Sequence, residues 1–437
     1  MAAPASGHAE IPSVQGDKRV AIRSPTFAEA ALLKFGSSDL LWTTKFALPS
    51  RDFPSLREQI ADAVSRVISC GMRTSSDLPH SSARKLRLLF SACEALDDHL
   101  DDPEESTVAS WRKVAQLDPN NAAATATLAF LEAEAGSPPS NNSPQAVALR
   151  TVARKHLQQA RSINDRLGMN YAAKAILLPS WRYRDRLAAL NHGLALDPDC
   201  AVLHNLMSIA LRDVGDLEDA IASARRAVEL EPSSAAHRQN LISALMYAGY
   251  IETAKTELES AERVWRDSFT IREVRSRFDF RFGDPDRQIQ NIDGGNVIPN
   301  TSAEWQKWIM RTFLLARAKP TAENIKTAVN AAAAFVRRGG PPHGPLQSIV
   351  ALGRTDEAYE LLEIPRAMTA LREEGVNILF RVNMRALRLD RRFMALANNL
   401  GLVQFWQSSG IWPDFCDDED LPYDCKAEAR RLHPKPP

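Results

Sequence analysis

The sequence predicts an all-α protein, a solenoid of stacked helical hairpins with a small α/β remnant in front. Three observations carry that prediction. The phrases Leu196-Asp197-Pro198 and Leu230-Glu231-Pro232 recur 34 residues apart. Between them the apolar residues fall at helical spacing, not at the two-residue alternation of a strand. Strand-like runs stand only at Arg19–Arg23 and Leu40–Phe46. The composition fits a folded chain: of 437 residues, 44% are hydrophobic and 25% charged. The 54 Lys+Arg balance 54 Asp+Glu, so the formal charge is zero. A general nucleic-acid binder would show a basic excess, and no direct nucleic-acid contact is expected.

Residues 1–18 are rich in Ala, Pro and Ser, without the apolar core of an export signal, and read as a tail. Residues 19–72 form the α/β piece. Arg19-Val20-Ala21-Ile22-Arg23 alternates like a strand, and Leu40–Phe46 is a second strand-like run rich in Thr and aromatics. Phe53–Cys70 then reads as an amphipathic helix, with Leu56, Ile60, Val64 and Ile68 on one face.

Residues 80–268 carry the repeats, interrupted by a Pro/Ser/Asn loop at 137–145. Within Ala201–Ser234, Met207, Ile209, Ala210 and Leu211 mark a first helix that Gly215 ends. Asp216 caps the next helix, which shows Ala220, Ala224 and Ala227 on one face until Pro232 stops it. The following unit repeats this with Leu241, Leu245, Gly249, Ala254, Leu258 and Ala261. Residues 269–400 read as degenerate helical repeats, with Gly353 and Ala358 keeping the Gly215–Ala220 step. Residues 401–437 read as an aromatic, acidic cap.

The two middle units resemble the tetratricopeptide repeat. The small and apolar positions of that family are met by Met207, Ser208, Leu211, Ala220, Ala224 and Ala227, its Gly by Gly215 and its Pro by Pro232. His204 and Arg238 stand where the family usually has Trp. Residues 19–72 resemble the end of the TolB-like α/β domain found ahead of such repeats in bacterial regulators. The run Phe393–Cys416 with Leu421–Cys425 resembles the tail of proteobacterial regulators, whose effector is a winged-helix DNA-binding domain or a class III adenylate cyclase. Such an effector has no counterpart before residue 19. These resemblances imply a non-enzymatic regulatory module that binds a protein or peptide, or the C-terminal part of a regulator or cyclase whose effector is missing from this chain.

In the repeat family the first helix of each pair lines the concave groove. Carried over, the groove positions are Val202, Asn205, Ile209 and Arg212, then Ala236, Gln239, Ser243 and Met246. The partner-binding set is therefore Asn205, Ile209, Arg212, Gln239, Ser243 and Met246. Asn and Gln there can read a peptide backbone and Arg212 a carboxylate; the plainer reading is a solvated helix face.

Catalytic signals are thin. The nine histidines stand singly, and no Walker loop, nucleophile elbow or dinucleotide fingerprint occurs. No catalytic residue, cofactor or metal is expected. Cys416 and Cys425 lie among acids but lack zinc spacing; the plainer reading is a tail whose Trp406, Trp412, Phe415 and Tyr423 pack on the last helix. Arg272–Arg281 interleaves Arg and Phe, and reads as a helix with Phe inward and Arg outward. The five scattered cysteines suggest neither a disulfide framework nor a metal set, hence a reducing, cytoplasmic setting. No apolar run approaches a membrane span. The oligomeric state is not legible.

Overall fold

The fold comes from a computed structural model that describes residues 27–34, 38–47, 53–75, 80–96, 105–137, 143–265, 268–295 and 304–433. The expected tail 1–18 and the expected strand Arg19–Arg23 lie outside the described residues.

The front piece is a hairpin of β1 (Phe27–Leu33) and β2 (Leu40–Ala47), paired antiparallel with Glu29 opposite Lys45. Its inner face sends Leu41 and Trp42 against α1 (Phe53–Thr74) and α2 (Ala83–Glu94), where Val67, Leu86 and Phe90 complete a small core. A lone hairpin is marginal in water, so this one depends on the two helices under it.

From α3 (Glu105–Leu117) onward the chain is helical. Helices α4 (Ala122–Ala135) and α5 (Pro144–Ile163) form the first long hairpin, α6 (Gly168–Leu177) and α7 (Tyr183–Leu196) the second. Then come α8 (Ala201–Arg212) with α9 (Leu217–Leu230), α10 (Ala235–Ala248) with α11 (Ile251–Val264), and α12 (Phe269–Phe282) with α13 (Pro285–Asp293). The last pairs are α14 (Glu304–Ala318) with α15 (Ala322–Arg337) and α16 (His343–Ala351) with α17 (Thr355–Leu362). Through the middle, α4, α6, α8, α10 and α12 each pack on the next, which is the inner row of a solenoid. The protein is an all-α helical-hairpin solenoid with a two-stranded piece in front.

The 34-residue period has a physical cause. Helices α8, α10 and α12 begin at Ala201, Ala235 and Phe269, each 34 residues after the last. The α8–α9 and α10–α11 turns each pass through a left-handed residue, and Gly215 and Gly249 supply it at φ 86° and 92°. Ala220, Ala224 and Ala227 are fully buried, so α9 approaches α8 closely. Leu203, Ile242 and Leu258 fill the layer, each worth roughly 1.5–3 kcal/mol of burial. A buried carboxylate also joins elements: Glu132 of α4 meets Arg112 of α3 at 2.9 Å and His156 of α5 at 2.6 Å.

The rest of the chain folds back. After α18 (Pro365–Glu374) two 3-10 turns, Asn377–Phe380 and Val382–Met384, lead to α19 (Arg385–Arg388), α20 (Arg392–Asn399), α21 (Leu402–Ser409) and α22 (Cys425–Leu432). The tail does not merely sit on the last helix. Trp406 is fully buried and donates Nε1–H to the Val214 carbonyl at 2.9 Å, across the α8–α9 turn. Asp414 Oδ2 accepts from the amides of Leu217 and Glu218 at 2.6 and 3.2 Å, so a tail residue caps α9. Tyr183 donates to the Leu400 carbonyl. Phe380, Phe393, Trp406 and Phe415 form one aromatic cluster over these turns.

Four of the five cysteines are paired, as Cys70–Cys93 and Cys416–Cys425. The sequence reading gave no partner to Cys70 or Cys93, which lie 23 residues apart on different helices. The antiparallel packing of α1 on α2 brings them together, and spacing alone does not show it. No described helix is long and apolar enough to cross a membrane.

Candidate partner-binding groove

The inner row of helices places the six expected groove residues in one region but does not leave them open. Asn205 is 1% exposed, and Arg212, Gln239, Ser243 and Met246 are all buried as well. Ile209 alone is half-buried. Arg212 donates Nη2–H to Asn240 Oδ1 at 2.5 Å, and Asn240 donates to the Asn205 carbonyl at 3.3 Å. Those bonds lock α8 to α10. Asn205 Oδ1 has no hydrogen-bond partner among the described residues.

The far end of this region is crossed by the chain itself. Asn377 donates to Asp213 Oδ1 at 2.8 Å and accepts from Tyr247 Oη at 2.9 Å. Arg381 donates to Tyr247 Oη at 2.5 Å and to Gln347 Oε1 of α16 at 2.8 Å. The segment Asn377–Met384 thus straps α8 and α10 to α16. Buried Arg388 holds the strap in shape by donating to the carbonyls of Leu379 and Arg381, each at 2.8 Å. Tyr247, Asn377, Arg381 and Gln347 went unnoticed in the sequence. Tyr247 follows a groove position directly, which was a usable signal; the strap follows no repeat phase and gives none.

Helix α12 departs from the Phe-in, Arg-out expectation. Phe278 is buried as expected, and Arg275 and Arg277 pair outward with Glu262 and Glu273, each at 2.5 Å. Arg281 instead turns inward: its Nε is buried and has no hydrogen-bond partner among the described residues.

A second recess of about 370 Å³ opens between α1, α4, α6 and α8. Cys70, Thr127, Phe130, Met169 and Cys200 line it. Arg73 closes one side through Glu231 at 2.5 Å. Burial pushes the Cys200 thiol up to about 12, so it stays protonated and is a poor nucleophile. Among the described residues no group of three or more His, Cys, Asp or Glu is placed to hold a metal.

No protein-family model matches the chain. No curated protein matches it either. Among solved structures it is similar to the crystal structure titled yeast Tom70, with 14% identity and a TM-score of 0.37, over 84% of this chain and 74% of that one.

Proposed function

We propose that the protein is a non-enzymatic interaction module that takes a protein or peptide partner along the inner face of α8, α10 and α12. One observation supports this above others. The inner face and the strap that borders it hold polar atoms that the described residues leave without hydrogen bonds, namely Asn205 Oδ1, Arg281 Nε and Arg381 Nε. Buried polar groups normally find partners, and a bound chain offers backbone amides and carbonyls to satisfy them. In this reading Asn205, Ile209, Arg212, Gln239, Ser243 and Met246 belong to the partner-binding surface, and the strap borders it. The units 19–72, 80–268, 269–400 and 401–437 are part of the same proposal.

A photo-crosslinking residue at Ile209 tests the groove against one at Arg225, which is exposed on α9. We expect the Ile209 site to trap a partner that the Arg225 site does not. Equal trapping from both positions removes the groove.

We further read the chain as the regulatory half of a bacterial signalling or transcription-control system, on the resemblance of its tail from Phe393 to Cys425. An in-frame winged-helix or cyclase domain in the DNA upstream supports that reading, and a stop codon there removes it. The cytoplasmic placement expected from free thiols stands or falls with the two cystines, since such bridges persist in oxidising compartments.

A further inference from the structure

Burying one guanidinium beside another is costly unless an anion lies between them. Three guanidiniums converge on Tyr247, from three parts of the chain. Arg212 comes from α8 and stands 5.0 Å from the centre of the ring. Arg381 comes from the strap and stands 4.5 Å from it. Arg281 comes from α12, within electrostatic reach of both Arg381 and Tyr247. Burial, reinforced by Arg381, holds the Arg281 guanidinium well below its ordinary pKa. Burial would raise the Tyr247 phenol, yet Arg381 and Arg212 bring it below its ordinary value.

Asp213 and Glu273 are engaged elsewhere, and Glu374 faces His343 at 3.6 Å. Asp213 pairs with Arg186 at 2.7 Å and accepts from Asn377 at 2.8 Å. Glu273 pairs with Arg277 at 2.5 Å. Arg281 spends one Nη on the Arg277 carbonyl, and Arg381 spends its two on Gln347 and Tyr247. Each keeps a buried Nε–H that no described residue accepts. Two such donors match the two oxygens of one carboxylate. A phosphate, with three acceptor oxygens, calls for a further donor.

We propose that Arg281 and Arg381, beside Tyr247, form a carboxylate-binding site, and that the peptide held in the groove presents an acidic side chain to it. The second half of this statement rests on the groove reading above; the site itself does not. A single carboxylate there offsets the clustered charge and satisfies both Nε–H groups, so acidic peptides are selected over their amide counterparts.

The test is calorimetry on the full chain at low salt. The probes are N-acetyl-diglutamate amide, N-acetyl-diglutamine amide and inorganic phosphate. The glutamate peptide should bind saturably, the glutamine peptide at least tenfold more weakly, and added salt should weaken the binding. Arg281→Gln should cost the glutamate peptide about tenfold, or about 1.4 kcal/mol. Arg281 is chosen because Arg381 also seats the strap. An absence of binding, an unchanged affinity in Arg281→Gln, or a preference for phosphate overturns the site. If Arg281→Gln does not fold, tyrosinate absorbance decides in the wild type, with Tyr247→Phe as blank. The glutamate peptide should raise the Tyr247 pKa, and no shift overturns the proposal. If the Ile209 cross-link forms while the glutamate peptide fails, the groove survives and this site falls. If the peptide binds and no cross-link forms, the site survives without the groove.

Discussion

Asp216 concentrates several of the forces that shape this fold. It sits at the start of α9, where its carboxylate accepts from the Asp219 amide at 3.4 Å. Asp414 from the tail accepts two more amides of the same first turn. The helix N-terminus favours negative charge, yet two carboxylates in one turn, closed over by the tail, exceed what it can offset. Burial, with Asp219 and Asp414 alongside, pushes the Asp216 carboxyl up to about 6. The folded state therefore holds this proton to higher pH than the unfolded chain, where the carboxyl titrates at about 3.9. Its contribution is fully present below about pH 4 and is lost as pH rises through about 6. Asn caps a helix as well as Asp does and carries no charge. Asp216→Asn should therefore be more stable than wild type at pH 8, by on the order of 2 kcal/mol, with the gap closing at pH 4. Urea unfolding at the two pH values measures it. A gap of equal size at both would show that the charge of Asp216 is not what costs stability.

At the scale of elements, the tail's seat on the α8–α9 turn decides how the array is closed. Gly215 is left-handed, so any side chain there is strained by roughly 1–3 kcal/mol. A Cβ at this position would also run into Pro413 of the tail and Phe380 of the strap. Gly353 is left-handed too, at φ 73°, but a Cβ there meets nothing within 4 Å. Gly353→Ala should lose only the backbone part, and Gly215→Ala clearly more, because it also unseats the tail. Hydrogen exchange separates the two effects. The Asp414 amide, which donates to the Gly215 carbonyl at 3.1 Å, should exchange faster in Gly215→Ala and unchanged in Gly353→Ala. Equal unfolding free energies for the two variants would mean the tail adds nothing at Gly215. The sequence made part of this visible. Gly215 and Gly249 stand in phase because the α8–α9 and α10–α11 hairpins share the same left-handed turn, and that repetition turns local geometry into a readable period. The tail's contacts join residues nearly 200 positions apart and occur once each, so no period announces them. The inner row of helices shows the same division. Phase located Asn205, Arg212 and Gln239 on one face. Their burial depends on the neighbouring helix, and the strap over Tyr247 leaves no mark in the repeat.

Across the whole molecule, two bridges hold the ends of the array. Cys70–Cys93 joins α1 to α2 and so fixes the front piece, while Cys416–Cys425 closes the loop that runs from just after Phe415 to the start of α22. The bridges span 23 and 9 residues. In the chain-entropy account a loop of this size is worth about 3 kcal/mol. Both lie toward the ends of the chain, one under the β1–β2 hairpin and one in the tail that packs on the α8–α9 turn. Alkylation at lysis in the native host, under denaturing conditions and without reductant, reads the bridges directly. One adduct, at Cys200, is the expected result, rising to five after reduction. Unfolding in urea should then show the reduced protein less stable by a few kcal/mol, with loss near Trp406 and in the β1–β2 hairpin before the middle repeats. Five adducts in the unreduced sample would mean that the ends are held by packing alone and that the chain works in a reducing compartment after all.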